Sequence, residues 1–308
     1  FIAFLSDNSG SNVAAGNDNM SISIGRLPVR TAEEAKNAVD KMYKYVYHSV
    51  ADEWKNQVLL VADDNDNGIH MTQTSSMYNY FISSDGGQDY FYNKIYIDAY
   101  QLTNNRYPDA HNLMMQQLES GVAWWNYIGH GNTTSWTHEI LLSWEDINNL
   151  YYKKFPVLYA ATCEFMRWDA SATSGAEIMF HNPFGGVIAA ISATRPVYIA
   201  NNGILSNNIA KIAFSRDVNG NHLTLGEILR QAKNSISQSD DNKLRYALMG
   251  DPAMRLATPA PKVILESIDG NKVNIDDQIT LQARQSATLE GFIVDPMGNI
   301  MTDFNGVL

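Results

Sequence analysis

"FPVLYAATCEF", residues 155 to 165, is an apolar run that ends on a thiol. Val157 to Ala161 carry no charge and do not alternate, the pattern of a strand buried on both faces. Cys163 follows where that strand must give way to a loop, and it is the only cysteine among 308 residues. Upstream, "VAWWNYIGHG" (122–131) has the same form, a mostly apolar strand that ends on a Gly-flanked histidine, His130. "NQVLLVADDNDNG" (56–68), "NKIYIDAY" (93–100) and "GGVIAAISAT" (185–194) add three more strands.

Helical patterns lie between them. Thr31 and Glu34 form a capping box ahead of Ala35, Ala38, Val39, Met42 and Val46 at helical spacing. "DAHNLMMQQLESG" reads as a helix closed by Gly121, and "SWEDINNL" as a short helix with Ser143 and Asp146 as its capping pair. "SGAEIMFHN", "NGILSNNIAKIAF" and "TLGEILRQAKNSI" are three further helices, and "SISIGRLPV" (21–29) reads as the first strand. Doubly buried strands alternating with helices predict an α/β fold, a mostly parallel sheet flanked by helices with right-handed crossovers. Around "GDPAMRLATPAPKV" two prolines mark a linker. Beyond it "KVILES", "NKVNI", "QITLQA" and "GFIVD" alternate as β-strands, with turns at Asp269-Gly270 and Met297-Gly298, as at the start of a small β-sandwich. The expected division is therefore 1–257 and 258–308.

The totals narrow the function. A formal net charge of −11 argues against a nucleic-acid binder, which needs a basic face. One cysteine excludes an internal disulfide framework and a Cys-rich zinc site. No stretch approaches the ~20 apolar residues of a spanning helix. The chain opens mid-pattern with "FIAFLSD" and closes on "DFNGVL" with no initiating methionine, so it reads as an excised, N-terminally truncated fragment.

Function in an open parallel sheet gathers at the carboxyl ends of the strands. His130 and Cys163 sit at two such ends, 33 residues and one crossover apart. A thiol is mostly protonated near neutral pH and the thiolate is the nucleophile, so a neighbouring imidazole that takes the proton and returns it to a leaving amine gives the pairing a chemical reason. The Gly131 and Cys163 amides are placed to serve as oxyanion donors. Taken singly, a cysteine after apolar residues is commonly core and "GHG" a common turn; in order at successive strand ends they favour a cysteine hydrolase. "DDNDNG" opens like a calcium loop, but the position for the bidentate glutamate is Thr74, so it reads as a solvated acidic turn, or as the source of a carboxylate that orients His130. No pattern completes a metal site. His138 reads as a polar loop residue, and His48, His70, His111, His181 and His222 carry no motif.

"NYIGHGNTTSW" followed by "FPVLYAATCEF" resembles the gingipain family of cysteine peptidases, whose fold is caspase-like; "ISIGRLPVRTAEEAKNAVDKMYKY" is similar to the segment preceding its catalytic subdomain. Within the family, "VADDNDNG", "ATCEFMRWD", "SGAEIMFHNPFGG", "SATRPVY" and "LMGDPAMRL" resemble the sortases of the type IX secretion system. The resemblance implies a caspase-like catalytic domain over 1–257 and the opening of an Ig-like domain over 258–308. It implies His130 as base and acid, Cys163 as nucleophile, Gly131 with the Cys163 amide as the oxyanion hole, and an orienting carboxylate near Asn65, with Asp64 preferred over Asp66. Glu164 and the Thr194, Arg195, Val197 and Tyr198 loop would line the substrate pocket. The acidic specificity residue of arginine-specific members has no counterpart in "GIHMTQTSS". The implied activity is removal of the C-terminal sorting domain from cargo proteins, with the acyl group passed to water or to a lipopolysaccharide amine. The implied setting is the outer membrane or surface of a Gram-negative bacterium, with other type IX secretion components as partners and no cofactor. A general surface endopeptidase and a non-catalytic binding module are the competing readings.

Overall fold

The computed structural model describes residues 19–47, 52–236, 240–257, 261–274, 277–295 and 298–304. The expectations for "FIAFLSD", His48, Pro259 and Met297 lie outside the described residues. Two compact units are present, one within Phe1–Ser215 and His222–Thr258, the other within Arg216–Asn221 and Pro259–Leu308.

In the larger unit α1 (Ala32–Tyr47) leads to β1 (Gln57–Ala62), α2 (Ile69–Ser83), β2 (Phe91–Tyr96), α3 (Pro108–Ser120) and β3 (Trp124–Ile128). There follow α4 (Trp144–Asn149), β4 (Val157–Ala161), α5 (Gly175–His181), β5 (Ala189–Ala193), α6 (Ile199–Ile212), α7 (Leu225–Asn234), α8 (Asp241–Arg245) and β6 (Tyr246–Met249). The six strands form one sheet in the order β2-β1-β3-β4-β5-β6. Every pairing is parallel except β5 with β6.

Doubly buried strands need a core on each side, and the pleat supplies it by sending alternate residues to opposite faces. Val58, Leu60, Trp124, Val157 and Tyr159 pack with Phe81 of α2, Leu205 and Ile209 of α6 and Ile228 of α7. Leu59, Val61, Trp125, Tyr127, Leu158 and Ala160 pack with Met114 of α3, Ile147 of α4 and Met179 of α5. Each fully buried aliphatic side chain is worth about 1.5–3 kcal/mol over its exposed state. That is why these strands show no polar alternation.

The expected mostly parallel, helix-flanked sheet is present, and so are the capping boxes of Thr31 with Glu34 and Ser143 with Asp146. "SISIGRLPV" is not a strand. It makes one isolated bridge, Arg26 with Met249, through Arg26 N–H to Leu248 O and Gly250 N–H to Arg26 O, both 2.9 Å. Pro28 has no N–H to extend that bridge. The antiparallel edge is supplied by β6, which the sequence pattern did not show. Helix α2 was also missed, although its buried face, His70, Thr74, Met77 and Phe81, follows helical spacing.

In the smaller unit β7 (Lys262–Ile268), β8 (Asn271–Lys272) and β9 (Leu289–Val294) form an antiparallel sheet in the order β8-β7-β9. Asp269 (φ 49°) and Gly270 (φ 77°) make the expected hairpin turn. "QITLQA" is not a strand, and its Ile279 and Leu281 stand exposed.

Candidate active site

The chain runs from β1 outward to β2 and returns on the other side of β1 as β3, so the sheet has its switch point between β1 and β3, where ligand sites form in open α/β sheets. Ile128 of β3 pairs with Ala161 of β4, and Gly129 N–H reaches Ala161 O at 3.3 Å. His130 and Cys163 each lie two residues past that pair. The parallel register therefore delivers the imidazole and the thiol from neighbouring strand ends at the same level of one edge.

The carboxylate of Asp63, fully buried at the end of β1, accepts the His130 backbone N–H at 2.7 Å and the Asp64 N–H at 2.9 Å. The Tyr127 hydroxyl and the Thr137 N–H hold the His130 carbonyl at 2.5 and 2.9 Å. His130 is thus pegged through its backbone from three directions. Gly129 and Gly131 must lack side chains. A Cβ at Gly129 would come within 2.4 Å of Asp63, and one at Gly131 within 2.5 Å of the Thr162 hydroxyl and 2.9 Å of Ser135 O.

The carboxylate at the imidazole is Asp66, whose Oδ2 lies 2.6 Å from His130 Nε2. That hydrogen bond holds Asp66 below the usual carboxylate value. The expected partner, Asp64, is engaged elsewhere; the Tyr107 hydroxyl donates to it at 2.6 Å, and that hydrogen bond raises the Tyr107 phenol above the ordinary value. The difference is a backbone effect. Asp66 (φ 57°), Asn67 (φ 56°) and Gly68 (φ 76°) are three consecutive left-handed residues, and they swing the chain so that residue 66 faces β3. Asp and Asn tolerate that region better than most residues, which otherwise lose about 1–2 kcal/mol each there.

With Nε2 donating to Asp66, the His130 Nδ1 lone pair is the one left for a proton. A second imidazole shares the carboxylate. His70, in the first turn of α2 and 2% exposed, brings its Nε2 to within 3.2 Å of the same Asp66 Oδ2. Burial pushes the His70 pKa down. Its ring meets that of His130 edge-on, centroids 5.2 Å apart, and the His138 ring lies 5.0 Å from His130 on the side of the β3–α4 loop. Neither residue carried a motif; the helical spacing of His70 with Thr74, Met77 and Phe81 was the one signal available. His111 bonds Leu141 O instead, at 2.9 Å.

The Cys163 sulfur is part-buried and bonded to the backbone of Val197, whose N–H reaches Sγ at 3.5 Å and whose carbonyl lies 3.8 Å away. Among the described residues no group accepts the amide hydrogens of Gly131 or Cys163. Glu164 is left-handed (φ 54°) and pairs with Arg167 at 2.7 Å. Thr194 spends both its N–H and its hydroxyl on Arg245 O, and Arg195 grips Asp169 through both terminal nitrogens. Tyr198 is 57% exposed ahead of α6, its backbone held by Asn242. The register thus brings the backbones of His130 and Cys163 to one edge, Val197 bonds the Cys163 sulfur, Tyr198 is open to solvent, and the Thr194 hydroxyl and Arg195 guanidinium are engaged by Arg245 and Asp169.

This sheet, with an imidazole and a thiol at adjacent strand ends, defines a cysteine peptidase of caspase-like type. The family model of peptidase family C25 matches residues 3–257, and the chain belongs to that family, the gingipain-type cysteine peptidases. Among solved structures, the Arg-specific cysteine proteinase gingipain R is similar with a TM-score of 0.63 at 19% identity, over 79% of this chain and 58% of that one. The complex of the pro- and mature domains of RgpB from Porphyromonas gingivalis gives a TM-score of 0.61 at 17% identity, over 81% and 60%. At such identities the likeness is one of fold, and the chain spans less than two thirds of either structure. Dimeric latent PorU from Porphyromonas gingivalis is 27% identical over 38% of this chain and 11% of that one, with a TM-score of 0.24, an overlap too small to carry an argument. No curated protein matches the sequence.

Proposed function

We propose that this peptidase is a sortase of exported proteins, cutting a C-terminal sorting domain from its cargo through a thioester on Cys163. His130 Nδ1 takes the Cys163 proton and sulfur attacks the scissile carbonyl carbon. The oxyanion is met by the Gly131 and Cys163 amides, and the imidazolium returns its proton to the leaving amine. Water, or the amine of a lipopolysaccharide carrier, then attacks the thioester with His130 as base, and the thiol is regenerated. Asp66 holds the tautomer that leaves Nδ1 free. In this reading residues 1–257 are the catalytic domain, 258–308 open an Ig-like domain, and Glu164, Val197 and Tyr198 face the substrate.

The observation that carries the peptidase chemistry is the register that sets His130 and Cys163 side by side with Asp66 behind the imidazole. Support for the sortase over a digestive enzyme is the absence of any carboxylate from residue 68 to residue 76, which form the start of α2. The outer-membrane setting and the type IX secretion partners follow from the same reading. Cys163→Ala is expected to abolish cleavage of cargo carrying its sorting domain while leaving the fold intact. Unchanged cargo processing would remove the proposal; cleavage of unrelated unstructured peptides as fast as cargo would replace it with a general endopeptidase.

A further inference from the structure

The geometry points to a zinc-class divalent cation site formed by Asp66, His70 and His130, through which the metal switches the peptidase off. The inhibitory part rests on the reading of His130 as the base; the binding part does not. One ligand atom from each of the three lies within 4.8 Å of the other two, and both Nε2 atoms meet Asp66 Oδ2. Zinc holds imidazole nitrogen and carboxylate oxygen at about 2.0–2.2 Å, so tetrahedral ligands sit about 3.3 Å apart. Asp66 Oδ2 and His70 Nε2 are 3.2 Å apart already. Asp66 Oδ2 and His130 Nε2 are 2.6 Å apart, so the His130 ring has to back away by under 1 Å. With 35% of its side chain exposed, it has room to do so.

One feature besides the spacing favours a ligand there, and a second does not oppose it. Both Nε2 atoms converge on the same Asp66 oxygen, and the two rings are near perpendicular, at 84°. His70 is buried, yet its Nδ1 has no hydrogen-bond partner. The metal-free tautomer and the metal-bound tautomer leave that nitrogen equally unserved, so occupying Nε2 adds no new unsatisfied group on His70. Two imidazoles and one carboxylate select zinc-like ions over calcium or magnesium, which prefer oxygen ligands.

The consequence for the reaction is a tautomer change. An ion on His130 Nε2 forces the ring proton to Nδ1, so Nδ1 no longer accepts the Cys163 proton. No contact between metal and thiol is required.

The test is calorimetric titration of zinc sulfate into the full chain carrying Cys163→Ala, which removes the thiol as a ligand. One tight equivalent is expected, weakened at least tenfold by Asp66→Asn and by His70→Gln, unchanged by His138→Ala, with no heat from calcium or magnesium. Asp66→Asn guards against a folding failure of His70→Gln, since asparagine tolerates the left-handed backbone at residue 66. Titration unaffected by Asp66→Asn, or His138→Ala as damaging as either variant, overturns the site. On the enzyme with its cysteine, the inhibition constant for zinc in cargo cleavage is expected to match the calorimetric dissociation constant within about threefold; tight binding without inhibition overturns the switch. Failure of the peptidase reading itself shows separately, as cargo cleavage indifferent to Cys163→Ala.

Discussion

The two edges of the six-stranded sheet are built on opposite terms. At the amino edge, Trp54, Tyr45 and Phe155 are buried beside the entries to β1 and β4, on the floor of a pocket of about 800 Å³. The buried ammonium of Lys41 ties that region together by donating to the carbonyls of Met179, Phe180, Asn182 and Gly185 at 2.7 to 3.4 Å. At the carboxyl edge the chain spends stability instead. All the left-handed non-glycine residues described in the larger unit, Asp66, Asn67, Asn104, Asn105, Thr137, Ile140 and Glu164, follow the carboxyl end of a strand. A parallel sheet leaves its βα loops free of ladder bonds, so strained turns and charged side chains collect there without disturbing either core. One edge holds the fold while the other carries the candidate site.

That contrast breaks if substitutions at the carboxyl edge chiefly unfold the protein. His130→Ala is expected to lower kcat/KM for cargo by about 10²–10⁴-fold, the range for loss of a general base, with a melting temperature within a few degrees of the parent. Asp66→Asn is expected to cost about 10²-fold or more in kcat/KM, because His130 loses the carboxylate that fixes its tautomer. Asp64→Asn should do neither, since its partner is Tyr107; equal effects at 64 and 66 would erase the distinction the left-handed turn makes.

At the amino edge the expected effects run the other way. Lys41→Met strands buried carbonyls and is expected to lower unfolding free energy by about 3 kcal/mol, read by denaturant titration, with kcat/KM per folded molecule unchanged. Burial holds Lys41 well below its ordinary 10.5. A depressed folded pKa means that the unfolded chain binds more protons in the window between the folded value and 10.5, so stability rises with pH there and is lost as pH falls. The smallest expected effect is therefore a shallower rise of stability with pH below 10.5 in Lys41→Met than in the parent. Asp66 has the same sign in a different window: its contribution is present above 3.8 and is lost as pH falls through its folded value.

The smaller unit shows what happens without a second core. β7 forms where a strand is expected, but Val263 and Leu289 stand 58% and 62% exposed, and "QITLQA" finds no ladder to join.

How much of the site was legible follows from the same physics. Cys163 and His130 could be read because each ends a strand whose composition announces burial on both faces, and a buried strand can place its last side chain at only one edge. The carboxylate could not. Asp63, Asp64 and Asp66 crowd four positions, and which one reaches the imidazole depends on three left-handed residues, Asp66 to Gly68, that spacing does not encode. α2 escaped for a related reason: it starts after a left-handed glycine with no side-chain cap, so no start signal marked it, and His70 escaped with it. Sequence by itself determined the layered α/β plan and the neighbouring strand ends that carry His130 and Cys163, because burial and strand ends are local properties of composition. The choice of Asp66, the doubling of the imidazole by His70 and the antiparallel β6 were decided only in three dimensions, where distant segments compete for the same carboxylate and the same open strand edge.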